Sequence, residues 1–276
     1  MAIITLTTDF GLKDFFVGAL KGAIYKELPD IKIVDISHHI EPFNIQQCAY
    51  VLENSYKSFP KGSIHIVGVD SEATPENEHI VVLIDGHYFI SANNGVIGLI
   101  TSEREPEKIV EINLPNPSET AFPVKDIFVK VACHIARGGT LEVIGKPFVN
   151  LKELREFSAQ VSDNGNKITG RVIYIDNYGN VITNIPKHVF DSYRKGRDFE
   201  LQARNNVIKK IRNHYSDIIN FDLEKNNRKG AGDLLALFNS SGYIELAIYK
   251  SNLDTVGGAS TLLGLDYRDT VTINFL

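Results

Sequence analysis

The sequence predicts an N-terminal α/β domain with a largely parallel central sheet, followed by a C-terminal all-β, barrel-like domain. Two contrasting textures and the break between them carry that prediction. Up to residue 150, short β-branched runs alternate with longer stretches whose apolar residues recur at helical spacing, the pattern of βαβ units. From about Asn164 onward, short strand-like runs follow one another with few helical stretches, punctuated by Asn-, Ser- and Gly-rich turns, the pattern of a small antiparallel sheet or barrel. Between the two, residues 151–166 collect Lys, Glu and Asn and read as a linker, which gives domains over 1–150 and 167–276.

The elements follow in order. Ile-Ile-Thr-Leu-Thr-Thr at 3–8 is a strand by its β-branched content, ending at Asp9-Phe10-Gly11. A helix over 14–27 presents Phe15, Leu20, Ile24 and their neighbours as an apolar stripe and stops before Pro29. A strand at 32–36, a helix at 45–56 and a strand at 63–69 continue the alternation. Residues 79–84 and 88–91 read as a hairpin about Asp85-Gly86. A helix over 126–137 is closed by Gly138-Gly139. In the second domain, strands are expected at 167–176, 181–184, 198–201, 234–239, 243–248 and 270–275.

Composition narrows the function classes. The 276 residues include 29 Lys+Arg and 34 Asp+Glu, a formal net charge of −5, against the clustered basic excess of a dedicated nucleic-acid binder. The basic clusters at 208–212 and 226–229 read as solvated loops in an acidic chain. Apolar runs such as 81–84 fall far short of the ~20 residues of a membrane helix. The N-terminus lacks the charged region and cleavage site of a signal peptide, and Cys48 and Cys133 stand apart, as buried reduced thiols do. The expectation is a cytoplasmic protein with neither nucleic acid nor membrane as a partner. No GxGxxG follows the first strand, and no GxxxxGK[ST], HExxH or GxSxG occurs. His38 and His39 are adjacent and cannot face one site from a strand, so no metal and no cofactor are expected.

Ligands of parallel sheets bind at the carboxyl ends of strands, which directs attention to Asp9, Ser37-His38-His39, Asp70 and Asn93-Asn94-Gly95. Asp9 reads either as a helix-capping turn or as a carboxylate that accepts hydrogen bonds from a ribose diol. Asp70 reads either as the start of an Asx turn or as a group that orients or deprotonates a water. The segment Asp-Asn-Tyr-Gly-Asn-Val-Ile-Thr-Asn at 176–184 makes tight turns. It also offers a π face, a cation acceptor and amide edges, as a purine and an amino-acid head group would require. Asn-Ser-Ser-Gly-Tyr at 239–243 is a second such turn.

Together with Thr-Leu-Thr-Thr-Asp-Phe-Gly-Leu-Lys-Asp-Phe-Phe-Val-Gly-Ala-Leu-Lys-Gly-Ala-Ile at 5–24, Val-Asp-Ile-Ser-His-His at 34–39, Asn94-Gly95 and Asn-Ser-Ser-Gly-Tyr-Ile-Glu-Leu-Ala-Ile at 239–248, this segment resembles the S-adenosylmethionine hydroxide adenosyltransferase family, which also contains fluorinases and chlorinases. The resemblance implies an N-terminal α/β domain, a C-terminal β-barrel and a homotrimer. S-adenosylmethionine is then the substrate, held between the N-terminal domain of one subunit and the C-terminal domain of its neighbour. Water or halide displaces methionine at the ribose C5′ carbon.

At the matching positions the resemblance implies that Asp9 holds the ribose diol and Phe43 flanks the ligand. Asp176 takes the methionine amino group, Tyr178 lies beside the adenine, Asn180 contacts the adenine and Ser240 contacts the methionine carboxylate. Asn94 and Phe122 complete the substrate-binding set, and Asp70 is the catalytic residue. The family hydrolases carry an arginine seven positions after that aspartate, where this chain has Asn77, and a histidine where it has Pro123. Halogenases carry a serine where it has Val124, so a halide would lack a hydroxyl donor, and a buried anion without donors is costly. The implied activity is hydrolysis of S-adenosylmethionine to adenosine and methionine, with Asp70 orienting the water. The alternatives are a protein that binds S-adenosylmethionine or adenosine without turnover, and an altered 71–78 loop that admits another nucleophile.

Overall fold

In the first of the chain's two compact units, β1 (Ile3–Thr8) is a strand whose alternate side chains serve opposite faces of a sheet. Ile4 and Leu6 face one way, with Ile64 and Ile66 of the neighbouring strand, while Thr5 and Thr7 face the other. This computed structural model describes residues 2–101, 105–114, 120–154 and 158–276. The units are Met1–Leu154 and Arg155–Leu276.

Two crossovers build the parallel half of the first sheet. α1 (Phe16–Glu27) links β1 to β2 (Lys32–Ser37), and α2 (Ile45–Tyr56) links β2 to β3 (Ile64–Gly68). Both β2 and β3 run parallel to β1, as connections of this length through a helix require. β4 (His79–Ile84) and β5 (His87–Ala92) are joined by Asp85-Gly86 at φ 53° and 78°, the left-handed pair that closes an antiparallel hairpin. A short α3 (Val96–Ile100), β6 (Lys108–Ile112), α4 (Val129–Ala136), α5 (Leu141–Ile144) and β7 (Gly145–Pro147) complete the unit. The sheet order is β2-β1-β3-β5-β4-β6-β7. It is parallel from β2 to β5 and antiparallel beyond, because the hairpin reverses the chain direction there.

Helices cover both faces of this sheet. α1 and α4 bring Leu20, Ile24, Val129, Ala132 and Cys133 onto Ile4, Leu6 and Ile66. α2 and α3 bring Cys48, Leu52, Tyr56, Val96 and Ile100 onto Val67, Val69, Ile80 and Phe89. The helix expected over 14–27 starts two residues later, with no side-chain cap at Phe15. The helix expected over 126–137 is preceded by one wide π-type turn, Val124–Phe128, led by Pro123.

In the second unit, β8 (Gln160–Ser162) and β9 (Lys167–Ile175) are followed by β10 (Val181–Pro186), α6 (Lys187–Arg194), β11 (Phe199–Ala203), β12 (Asn206–Ile208) and β13 (Ile211–Arg212). β14 (Leu234–Phe238), β15 (Tyr243–Ile248), α7 (Ala259–Leu263) and β16 (Thr270–Phe275) follow. The sheet order is β12-β11-β16-β9-β10-β15-β14-β13, with β8 added on β9. Leu201 of β11 and Ala236 of β14 stand far apart in that order, yet share one buried cluster with Ile168, Val181, Ile244 and Val271. A sheet whose distant strands meet in one core is curled on itself, hence barrel-like.

The basic cluster at 208–212, expected to be a loop, instead contributes Ile208 to β12 and Ile211–Arg212 to β13. Of the stretch 151–166 expected to link the domains, residues 155–157 lie outside the described residues. Lys152 is bonded to Asn93, and β8 pairs with β9. No helix among the described residues is long and apolar enough to cross a membrane.

Candidate functional site

In the first unit the tips of β1 and β3 carry Asp9 and Asp70, and backbone hydrogen bonds join them. The Asp9 N–H donates to the Gly68 carbonyl at 3.4 Å, and the Asp9 carboxylate accepts the Phe43 N–H at 3.0 Å. The Asp70 backbone N–H lies near that carboxylate as well. Burial lifts the Asp9 carboxyl above the ordinary aspartate value; these N–H donors pull it down and the Asp70 charge pushes it up.

Two non-glycine residues of this cluster adopt left-handed backbone, Phe43 at φ 64° and Asp70 at φ 44°. Asn94 locks the second of these. Its side-chain N–H groups donate to the carbonyls of Val69 and Asp70, both at 3.0 Å, and its carbonyl oxygen accepts the Val96 N–H at 3.1 Å. Asn94 is buried, and its amide serves as a clamp on the strand tip. Beneath the turn, Thr8 Oγ1 is 2.7 Å from His38 Nδ1, and the Gly11 N–H donates to the His38 carbonyl at 2.8 Å.

Phe122 reaches the same place by ring contacts. It packs edge-on against Phe10 and Phe16, with centroids 5.5 and 5.3 Å away. The next residues, Pro123 and Val124, start the π-type turn, and Val124 is fully buried in the apolar cluster. Phe43, by contrast, leaves 72% of its surface exposed beside Asp9.

Hydrogen bonds hold the loop after Asp70 at its start and at its tip. Its start is held by the His79 Nε2–H, which donates to the Ser71 carbonyl at 2.9 Å, and burial lowers the His79 pKa so that the ring stays neutral. At its tip, Thr74 and Asn77 exchange two backbone hydrogen bonds of 3.2 and 3.1 Å around Pro75-Glu76.

The candidates of the second unit lie on two turns. The Asp176 carboxylate accepts the N–H groups of Tyr178 and Asn180 at 2.8 and 2.9 Å and the Asn180 side-chain amide at 3.0 Å. This ring of bonds holds Tyr178 outward, 65% exposed, and Asn180 inward and buried. Gly179, at φ 75°, lies so close to Leu253 and Gly258 that a Cβ there would stand 2.6 Å from a Leu253 methyl. In the turn that carries Ser240, the Asn239 side-chain oxygen accepts the N–H groups of Ser241 and Tyr243 at 3.0 and 3.1 Å.

Glu245, which sequence reasoning left unremarked, ties these turns together. It is 3% exposed, accepts the Tyr215 hydroxyl at 2.6 Å and the Asn239 side chain, and feels the Asp176 charge. Burial and that repulsion raise its pKa. Nothing local in Tyr-Ile-Glu-Leu-Ala signals this role, because Tyr215 lies thirty residues upstream. Structure thus groups Asp9, Phe43, Asp70, Asn94 and Phe122 in one unit, and Asp176, Tyr178, Asn180 and Ser240 in the other. Among the described residues no group of three or more His, Cys, Asp or Glu is placed to hold a metal ion.

These features have relatives. A (R)-S-adenosyl-L-methionine hydrolase of Methanocaldococcus jannaschii is 32% identical over 279 residues, 98% of this chain and 95% of that protein. A fluorinase of Actinopolyspora mzabensis is 24% identical over 91% of this chain and 92% of its own. The crystal structure of an uncharacterized conserved protein from Thermotoga maritima superposes with a TM-score of 0.81 at 29% identity, covering 99% of this chain and 100% of that one. The SAM hydroxide adenosyltransferase N-terminal domain matches residues 4–145 and the C-terminal domain matches residues 170–272. Since both domains match in order and a relative aligns end to end, the chain belongs to the SAM hydroxide adenosyltransferase family.

Proposed function

We propose that this protein hydrolyses S-adenosylmethionine to adenosine and L-methionine, with Asp9 holding the ribose diol and Asp70 orienting the attacking water. The observation that carries the assignment is the parallel pairing of β1 with β3, with the Asp9 N–H donating to the Gly68 carbonyl at 3.4 Å, which sets the diol acceptor and the water-orienting carboxylate on adjacent strand tips.

The chemistry asks little of the protein beyond placement. Water oxygen forms a bond to C5′ while the C5′–S bond breaks, and its electron pair neutralises the sulfonium to a thioether. A positively charged sulfur leaves without a general acid, so neither Asn77 nor Pro123 is required to donate a proton. Holding the water in line supplies the main acceleration. Asp70 accepts a hydrogen bond from that water and passes its proton to solvent. Val124, fully buried and apolar, offers no donor to a halide.

In this reading Asp176 takes the amino group of the methionine portion, while Tyr178 and Asn180 take the adenine and Ser240 the carboxylate. The assembly is a homotrimer in which a neighbouring subunit's second unit completes the site. The large exposed aromatics Phe43 and Tyr178 support this, since burying such rings is favourable. A cytoplasmic setting accords with the two unpaired, buried thiols.

The decisive experiment is incubation with S-adenosylmethionine in ¹⁸O-water, followed by chromatography and mass spectrometry. The expected products are methionine and adenosine labelled at its 5′ hydroxyl. No adenosine from the wild-type protein, or equal amounts from Asp70→Ala, would end the assignment.

A further inference from the structure

Lys152 is the point at which the loop after Asp70 is latched to the rest of its unit. Its ammonium donates to the Asn77 side-chain oxygen at 3.0 Å, across 75 residues of sequence. Asn77 closes the Thr74–Asn77 turn, so its own direction is fixed by backbone bonds. The Lys152 backbone is fixed as firmly. Its N–H donates to the Asn93 side-chain oxygen at 2.9 Å, and the Asn93 amide donates to the Asn150 carbonyl at 3.0 Å. Gly98 backs onto this segment so closely that a Cβ there would stand 2.1 Å from the Lys152 carbonyl oxygen.

Asn93 and Asn94 divide the loop between them. Asn94 clamps the carbonyl of Asp70 at its entrance, and the Asn93 N–H donates to the Glu78 carbonyl at 2.7 Å at its exit. Only the tip needs a third anchor, and a charge-assisted bond from Lys152 provides it. The segment 70–78 carries Asp70, Glu72, Glu76 and Glu78, so a cation at its tip also offsets their mutual repulsion.

We propose that Lys152 is a positioning residue for hydrolysis. By holding Asn77 it fixes the loop that carries Asp70, and it places at the loop tip a positive charge that residue 77 does not itself supply. The inference rests on Asp70 orienting the water, and its test separates the two ideas.

Steady-state kinetics with S-adenosylmethionine, together with calorimetric binding, are compared for Lys152→Met, Lys152→Arg, Asn77→Leu and Asn77→Asp. Lys152→Met is expected to lower kcat about 10-fold while KM changes less than 3-fold, the range expected for loss of a hydrogen bond to a charged group. Lys152→Arg retains kcat within about 3-fold because it keeps the donor and the charge. Asn77→Leu matches Lys152→Met, and the double variant is no slower than either, the signature of one shared interaction. Asn77→Asp keeps the wild-type kcat through an ion pair. Unchanged kcat in Lys152→Met, or additive losses in the double variant, overturns the proposal.

Limited proteolysis reads the latch without any turnover. Cleavage within 71–78 is expected to quicken about 10-fold in Lys152→Met and to slow in Asn77→Asp. If the wild-type protein makes no adenosine, the hydrolysis reading fails while this measurement still decides the latch; equal cleavage rates in all variants overturn it.

Discussion

Asp9 and Asp70 stand at the tips of two parallel neighbours, and the Asp9 N–H donates at 3.4 Å to the carbonyl of Gly68, two residues before Asp70, so the two tips are bonded to each other. The Phe43 N–H draws Asp9 toward ionisation, while burial and the Asp70 carboxylate charge oppose it. Removing the Asp70 charge therefore eases ionisation of Asp9.

Asp9→Asn keeps the shape of the turn and removes the charge proposed to receive the diol. Affinity for S-adenosylmethionine is expected to fall about 10–100-fold, as for loss of hydrogen bonds to a charged group. Calorimetry checks this, and 5′-deoxyadenosine, which keeps the diol and lacks the methionine, should lose affinity in parallel.

Asp70→Asn suits this position because asparagine tolerates the left-handed backbone that Asp70 adopts. Binding is expected to stay within about 3-fold of wild type. The single-turnover rate is expected to drop roughly 10²–10⁴-fold, the span associated with a positioned acid–base group. Rapid-quench measurement of adenosine separates the two effects.

The raised Asp9 pKa fixes the direction of the acid limb. As pH falls through that value Asp9 gains a proton and loses acceptor strength, so KM rises at a higher pH than an ordinary aspartate would dictate. A profile of kcat/KM from pH 4 to 8 tests this, and Asp9→Asn should remove that limb.

Asp176 has a structural duty beside its proposed binding one, because three donors of its own turn point at it. Asp176→Ala leaves the Tyr178 and Asn180 N–H groups without their acceptor. It is expected to cost about 1–3 kcal/mol of stability in urea unfolding, besides weakening substrate binding. Asp176→Asn retains an acceptor oxygen and should lose less stability than affinity.

A buried histidine pair sets the acid stability of the first unit. His65 Nδ1 lies 2.7 Å from Thr5 Oγ1 and His65 Nε2 lies 3.1 Å from His87 Nδ1, with Phe89 stacked on the His65 ring. Burial pushes the His65 pKa down to about 3, and burial lowers His87 as well. The unfolded chain therefore binds protons more readily than the folded one below the ordinary histidine value. Stability is full above about pH 6.5 and falls as pH drops toward 3, by roughly 2 kcal/mol at pH 5 from His65 alone. Urea titrations between pH 7 and 4 check the slope, which His65→Gln should flatten.

How far the sequence discloses these arrangements depends on how local their causes are. β1, α1 and β2 were legible because alternation and helical periodicity are written within each segment. The antiparallel half of the sheet was legible at Asp85-Gly86, where two residues suffice to reverse the chain. The start of the helix after Pro123 was read too late, because Val124 and Lys125 look unremarkable until the wide turn places Val124 in the core. Asp9, Asp70 and Asp176 announce themselves as carboxylates at strand ends or turns. Glu245 and Lys152 do not, since Tyr215 and Asn77 lie thirty and seventy-five residues away and only folding brings them near.

Phe43 and Asp70 hold φ angles of 64° and 44°, which favour glycine over any residue with a side chain. Each carries backbone strain on the order of 1–3 kcal/mol. Engineering for heat resistance would therefore be drawn to these two positions, and glycine at either would relax the chain. On the proposed function it would also delete the ring proposed to flank the ribose or the carboxylate proposed to aim the water. If those roles hold, robustness and turnover are set against each other at the same two α-carbons, and a thermostable variant has to find its gains elsewhere.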